Sequence, residues 1–220
     1  QRSTPTLLGL SWDTPEYEAL YVKVLAALEA HLKEKGWLAK GYAYWFDEPE
    51  PKDYAFVKQG MALLRRGAPG IARLLTEQGE PELLGSVDVW SPLLDLYSEP
   101  FARERQAKGE QVFWYVCTGP RAPYPNDFID HPGLEHRLRF WMAFAYGVQG
   151  DLYWQTNYWT NDEVFPPPAR QDPWTDPMSH HFQGGKPGTW GNGDGRLLYP
   201  PRGWKEGKKR VEAPVPSMRW

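Results

Sequence analysis

The chain has 220 residues, enough for one sizeable domain, and a net charge of −3, which offers no basic face to nucleic acid or to an anionic membrane. Its single cysteine, Cys117, excludes an internal disulfide and a cysteine-based metal cluster, and no apolar run approaches a membrane span. The unusual figures are 12 Trp, 12 Tyr and 22 Pro, with many tryptophans (Trp45, Trp90, Trp154, Trp159, Trp174, Trp190) at expected strand ends or loops, a placement that favours ligand-facing over core roles.

Leu20, Val24, Leu25, Leu28 and Leu32 recur at helical spacing and predict a helix over 15–35, capped by Thr14 or Asp13, with Pro15 in its first turn and Gly36 as its stop. Residues 42–46 alternate as a short aromatic strand, halted at Asp47 and Glu48 by Pro49. A helix follows over 51–66 on Tyr54, Val57, Met61 and Leu64, then a short apolar strand over 71–75. Residues 81–84 make at most one helical turn, and 87–90 form a strand ended by Ser91-Pro92. A charged helix over 97–107 precedes the strand 111–118, apolar enough to be buried on both faces. An aromatic-rich helix over 133–147 and a strand over 152–158 complete the pattern. Five strands separated by helices argue for a parallel sheet with helical crossovers.

From 160 to 213 the alternation stops. Pro166-Pro167-Pro168 and Gly191-Asn192-Gly193-Asp194-Gly195 mark a long loop, partly ordered by Trp174, Trp190 and Trp204. Pro216-Ser217-Met218-Arg219-Trp220 reads as a helix just starting. With Gln1 in first place, the expectation is a piece of a longer protein. Any signal peptide would lie outside it, and the compartment is left unknown.

Asp47 and Glu48, at the C-terminal tip of a strand in an alternating chain, stand where a (β/α) barrel keeps its chemistry, although an acidic surface turn has the same composition. Aromatic faces beside paired acids suit sugar cleavage, since rings stack on a pyranose and an acid protonates the leaving oxygen. Pro49 biases Glu48 towards an extended backbone, and the charge of Asp47 is expected to raise the pKa of Glu48. Consecutive strand residues point to opposite faces, so both acids serve one pocket only if the chain bends there. Other motifs are weaker. Asp194 sits in a Gly-rich turn without a calcium loop's alternating ligands, and the adjacent His180 and His181, remote in sequence from His131 and His136, make a poor zinc set. Cys117 reads as inert core, and neither Ser91 nor Ser217 has the context of a serine nucleophile. No metal or cofactor is implied.

Several pieces occur in a specific order: Trp45-Phe46-Asp47-Glu48-Pro49, Val87-Asp88-Val89-Trp90, Trp114-Tyr115-Val116-Cys117-Thr118-Gly119-Pro120, Tyr124-Pro125-Asn126, the run from Leu152 to Trp159, Gly193-Asp194-Gly195 with Leu198-Tyr199-Pro200, and Pro216-Ser217-Met218-Arg219. Together they resemble the catalytic domain of glycoside hydrolase family 123, the β-N-acetylgalactosaminidases and their relatives. The resemblance implies an α/β chain: residues 1–220 as the C-terminal portion of one (β/α)8 barrel, truncated at both ends, with strands four to eight, their helices and the Pro/Gly-rich loop. It implies a retaining exo-glycosidase acting by substrate assistance on terminal β-linked N-acetylgalactosamine or N-acetylhexosamine, carried by a glycan or glycolipid. Glu48 would be the acid/base and Asp47 the acetamido-orienting residue; Asp88, Trp90, Tyr115, Asn126, Trp154, Asn157, Tyr158 and Trp159 are candidate substrate contacts, among which Trp90 and Tyr115 also suit a core and Asn126 a plain turn. A two-carboxylate glycosidase with Asp88 or Asp162 as the second acid, or a non-catalytic sugar-binding relative, are the alternatives. An open partial barrel would leave sheet edges unpaired, so the missing strands, from the parent chain or from a second chain, are the expected partner, and the fragment alone is expected to be insoluble or to pair.

Overall fold

The computed structural model describes residues 5–201 and 213–219. They form two compact units: the described residues up to Pro92 with Ser98–Phe113, and Leu93–Tyr97 with the described residues from Trp114 onward.

The first unit opens with a small antiparallel pair, β1 (Thr6–Leu7) and β2 (Leu10–Ser11), which the sequence reading missed. Helix α1 (Pro15–Glu34) begins where expected: the Thr14 hydroxyl accepts the Tyr17 N–H at 3.3 Å, and Pro15, which has no N–H to satisfy, enters the first turn. Then come β3 (Tyr42–Tyr44), α2 (Tyr54–Gly67), β4 (Ala72–Leu75), β5 (Val89–Trp90), α3 (Glu99–Ala107) and β6 (Gln111–Val112). The four strands form one parallel sheet in the order β3-β4-β5-β6, with Tyr44 opposite Leu74, Leu75 opposite Trp90, and Trp90 opposite Val112. Leu74, Leu75, Val89, Trp90 and Val112 are buried, as parallel strands covered on both faces must be.

Alternation along β3 decides which aromatics reach the site. Tyr42 and Tyr44 are half exposed on one face. Trp45 turns the other way and packs on Trp12, Tyr21 and Phe56, beside Tyr17 and Leu63. This contact accounts for Gly60 in mid-helix, because a Cβ there would lie 2.1 Å from the Trp45 indole nitrogen. Trp45, expected at a ligand, is therefore half-buried against the core.

In the second unit, β7 (Trp114–Val116) pairs in parallel with β8 (Asp151–Tyr153). Trp114, Val116 and Leu94 pack on Met142 and Ala143 of α4 (Glu135–Tyr146), which leaves Tyr115 on the opposite face of the pair. Buried Arg139 ties the helix down, its Nε 2.8 Å from Asp151 and its Nη1 2.9 Å from Asp127. Gly147 closes α4 in the left-handed region at φ 68°, a conformation without steric cost for glycine.

Several expected bounds shift. The strand expected over 42–46 ends at Tyr44, and that over 152–158 ends at Tyr153. The run 111–118 is two strands, β6 and β7, hydrogen-bonded to different partners on either side of Phe113. The long loop contains an antiparallel hairpin of β9 (Met178–Gln183) and β10 (Lys186–Asn192), turned by Gly184 and Gly185 at φ 60° and 76°, the glycine pair such a two-residue turn requires. The expected C-terminal helix start is instead β12 (Val215–Pro216), paired with β11 (Leu198–Tyr199). Trp204 lies outside the described residues.

Candidate active site

The first unit carries the two acids. Asp47 and Glu48 follow the C-terminal end of β3, and both side chains are exposed. The bend their joint use requires is present: Glu48 has φ 44°, in the left-handed region that non-glycine residues rarely occupy. This corrects the extended backbone expected before Pro49. Such a conformation costs on the order of 1 kcal/mol and persists only where surrounding groups hold it. Here Thr76, just past the end of β4, holds it: its hydroxyl accepts the Glu48 backbone N–H at 2.9 Å. After the bend, buried Pro49 and a bond from the Glu50 N–H to Asp53 Oδ2 at 3.0 Å lead the chain into the turn before α2.

Thr76 reaches this position through the sheet register. Leu74 lies opposite Tyr44, and Thr76, two residues on, shares its face. The Thr76 hydroxyl lies 3.0 Å from the Tyr44 phenol oxygen and 3.3 Å from Asp47 Oδ1. The Tyr44 phenol donates to the same Asp47 Oδ1. Burial and the hydrogen bond to Asp47 push the Tyr44 hydroxyl well above the usual phenol range, so it remains a donor. Asp47 Oδ2 has no partner among the described residues.

Glu77, which the sequence reading passed over, is a buried carboxyl beside Thr76. Burial, with the charges of Glu80 and Glu48 adding, pushes it up to about 7 although the Gln78 N–H donates to it. The signal that could have found it is the one that found Asp47 and Glu48: an acid just beyond the C-terminal tip of a parallel strand.

Two expected contacts of this unit are otherwise engaged. Asp88 precedes β5, at the opposite end of the sheet from Asp47, and its carboxylate is paired with Arg73 and Arg65. Burial would raise its pKa, but the hydrogen bonds and charges of these arginines hold it below the usual carboxylate range. Trp90 is fully buried with its ring edge-on to Phe101 of α3 and its indole N–H donated to Glu110 at 2.7 Å, leaving no face for a sugar.

The second unit carries the remaining candidates. Trp154, Tyr158 and Trp190 form an aromatic group with ring centroids 5.0–5.5 Å apart, and His181 stacks on Trp190 at 5.0 Å. Beneath it, buried Asp194 accepts from Tyr153 and from the Trp154 indole, each at 3.0 Å. Its burial, relieved only in part by these donors, pushes its carboxyl up. The turn expected at Asp194 is therefore an anchor for the aromatics. Tyr158 donates to the His180 carbonyl at 2.6 Å, and Trp159 to the Leu198 carbonyl at 2.8 Å. Asn157 is exposed and accepts from Gln155. Asn126 is buried and spans its loop, donating to the Cys117 and Pro120 carbonyls at 3.0 and 2.9 Å while its oxygen takes the Asp127 N–H, the pattern of the turn reading. Tyr115 is buried, and Cys117 is half-buried just beyond β7 rather than within a strand. Exposed Asp162 lies 3.3 Å from Arg170.

Comparison with known proteins bears on this geometry. One solved structure, from a structural analysis of a family 123 glycoside hydrolase from Clostridium perfringens concerned with glycolipid glycan hydrolysis, is similar to the chain with a TM-score of 0.60 and 21% identity. The match covers 89% of this chain and 31% of that one, so the chain spans about a third of that protein's length. The comparison with curated proteins gives no match. The model of the glycoside hydrolase 123 catalytic domain matches residues 3–220, and the chain thus belongs to glycoside hydrolase family 123.

Proposed function

We propose that the chain is the acid-bearing part of a (β/α)8 barrel, with its parallel strands as the fourth to eighth, and that the protein is a retaining exo-glycosidase removing terminal β-linked N-acetylgalactosamine, or another N-acetylhexosamine, by substrate-assisted catalysis. The observation that carries the reading is the bend at Glu48, which lets two adjacent acids at a strand tip serve one sugar. The acetamido oxygen attacks the anomeric carbon as the glycosidic carbon–oxygen bond breaks, and Glu48 gives its proton to the departing oxygen. Asp47, through Oδ2, accepts the acetamido N–H and stabilises the positive charge of the oxazolinium ring. Glu48, now a carboxylate, takes a proton from water as that water opens the ring, so configuration is retained.

The test uses the full-length protein with an aryl 2-acetamido-2-deoxy-β-galactoside and its 2-hydroxy counterpart. Hydrolysis of the acetamido sugar alone, lowered about a hundredfold to ten-thousandfold in Glu48→Gln, is expected. Equal hydrolysis of both sugars would replace this mechanism with one using an enzyme nucleophile, and binding without turnover of either would leave a sugar-binding relative.

A further inference from the structure

Tyr44 and Thr76 have no part in the reaction just described, yet they surround both acids. From their geometry we infer that they form a positioning clamp which aligns Asp47 and holds Glu48 in its bent backbone, an inference that rests on the proposed roles of the two acids.

The proton count of the cluster closes without an unsatisfied donor. The Glu48 N–H points at Thr76 Oγ1, 2.9 Å away, so Thr76 accepts there and has one proton left to donate. The Tyr44 phenol has one proton and donates it to Asp47 Oδ1. Thr76 then donates either to the phenol oxygen at 3.0 Å or to Asp47 Oδ1 at 3.3 Å, and every donor finds an acceptor in both cases. All of the protein's hydrogen bonds to Asp47 among the described residues fall on Oδ1. That fixes the carboxylate plane and leaves Oδ2 for the acetamido N–H. The same hydroxyl satisfies the one backbone donor that a left-handed Glu48 presents. One threonine thereby couples the orientation of one acid to the backbone of the other, and both settings come from β3 and β4, the stiff part of the site.

Thr76→Val removes the hydroxyl at nearly constant volume, Thr76→Ser restores it, and Tyr44→Phe removes only the phenol oxygen. In the full-length protein we expect kcat to fall about tenfold to a hundredfold in Thr76→Val and Tyr44→Phe with KM changed less than about threefold, since the loss is in the transition state. Thr76→Ser should recover most of it. A thiazoline mimic of the bicyclic intermediate, which uses Asp47, should lose more affinity in Tyr44→Phe than the product sugar does. A rise in KM at unchanged kcat, or equal losses for mimic and product, would overturn the clamp. Failure of the wild type to turn over the acetamido sugar would overturn the functional reading instead. The clamp is then judged by hydrogen exchange at the Glu48 amide, which needs no turnover: faster exchange in Thr76→Val but not in Thr76→Ser supports it, and equal rates in all three overturn it.

Discussion

Arg73 and Asp88 face each other between neighbouring parallel strands, with Nε 2.7 Å and Nη2 2.9 Å from the two carboxylate oxygens. The Asp88 carboxylate also takes the Arg73 backbone N–H at 3.0 Å and Arg65 Nη2 at 2.8 Å. Arg73 is buried, so breaking the pair strands a guanidinium in the sheet. Asp88→Asn is expected to lower stability by about 2 kcal/mol and to leave kcat unchanged. Urea unfolding together with turnover of the full-length protein checks this; a collapse of kcat with stability intact would return Asp88 to the chemistry.

Gly60 meets Trp45 so closely that no side chain fits between them. Gly60→Ala must push the indole out of the cluster it makes with Trp12 and Phe56. Although alanine is the better helix former by about 1 kcal/mol, the overpacking outweighs it, and a net loss of about 1–2 kcal/mol is expected. A thermal melt with a raised midpoint would mean that the indole can move aside freely.

Glu77 links stability to pH. Its carboxyl is pushed up to about 7 from the ordinary 4.5, chiefly by burial, so the folded chain holds this proton more tightly than the unfolded chain does. The contribution to stability is complete below the unfolded value of 4.5 and is lost as pH rises through about 7, a loss on the order of 1–2 kcal/mol for this group once solvent screening is taken into account. Denaturant midpoints at pH 5 and pH 8 should fall for the wild type relative to Glu77→Gln. Parallel profiles would show that Glu77 ionises without penalty.

The outer face of α4 leaves Trp141 75% and Phe144 90% exposed, beside half-exposed Phe140. In the first unit, β3 and β6 each have one paired and one unpaired edge among the described residues. Both features invite a partner. The 220-residue chain made alone is expected to associate or precipitate, and light scattering reads this directly. A stable monomer would mean that neither surface needs cover.

The four helices and the parallel strands were legible because most are hydrophobic runs of the right period between Gly, Pro or acidic stops, although the single strand expected over 111–118 is two, β6 and β7. Asp47 and Glu48 were legible for the same reason, a strand cut short by acids and proline. The β9–β10 hairpin was missed because Met178–Gln183 mixes polar and apolar residues without clean alternation; only Gly184-Gly185 announced it. The destinations of Trp45 and Trp90 were not legible either. Parity along a strand says that two residues share a face, not which face meets the helices, and it is Gly60 and Phe101, distant in sequence, that decide. Thr76 escaped notice for a related reason: its importance comes from the pairing register of β3 with β4, which local sequence does not encode.

The left-handed backbone at Glu48 sets folding and chemistry against each other at a single position. Glycine is the residue that conformation suits best, so Glu48→Gly should fold as well as the wild type or better, by up to about 1 kcal/mol, while removing the carboxyl altogether. Selection for stability alone would erase this acid. On the proposed mechanism, that strain is the cost in stability of placing a carboxyl at the bend.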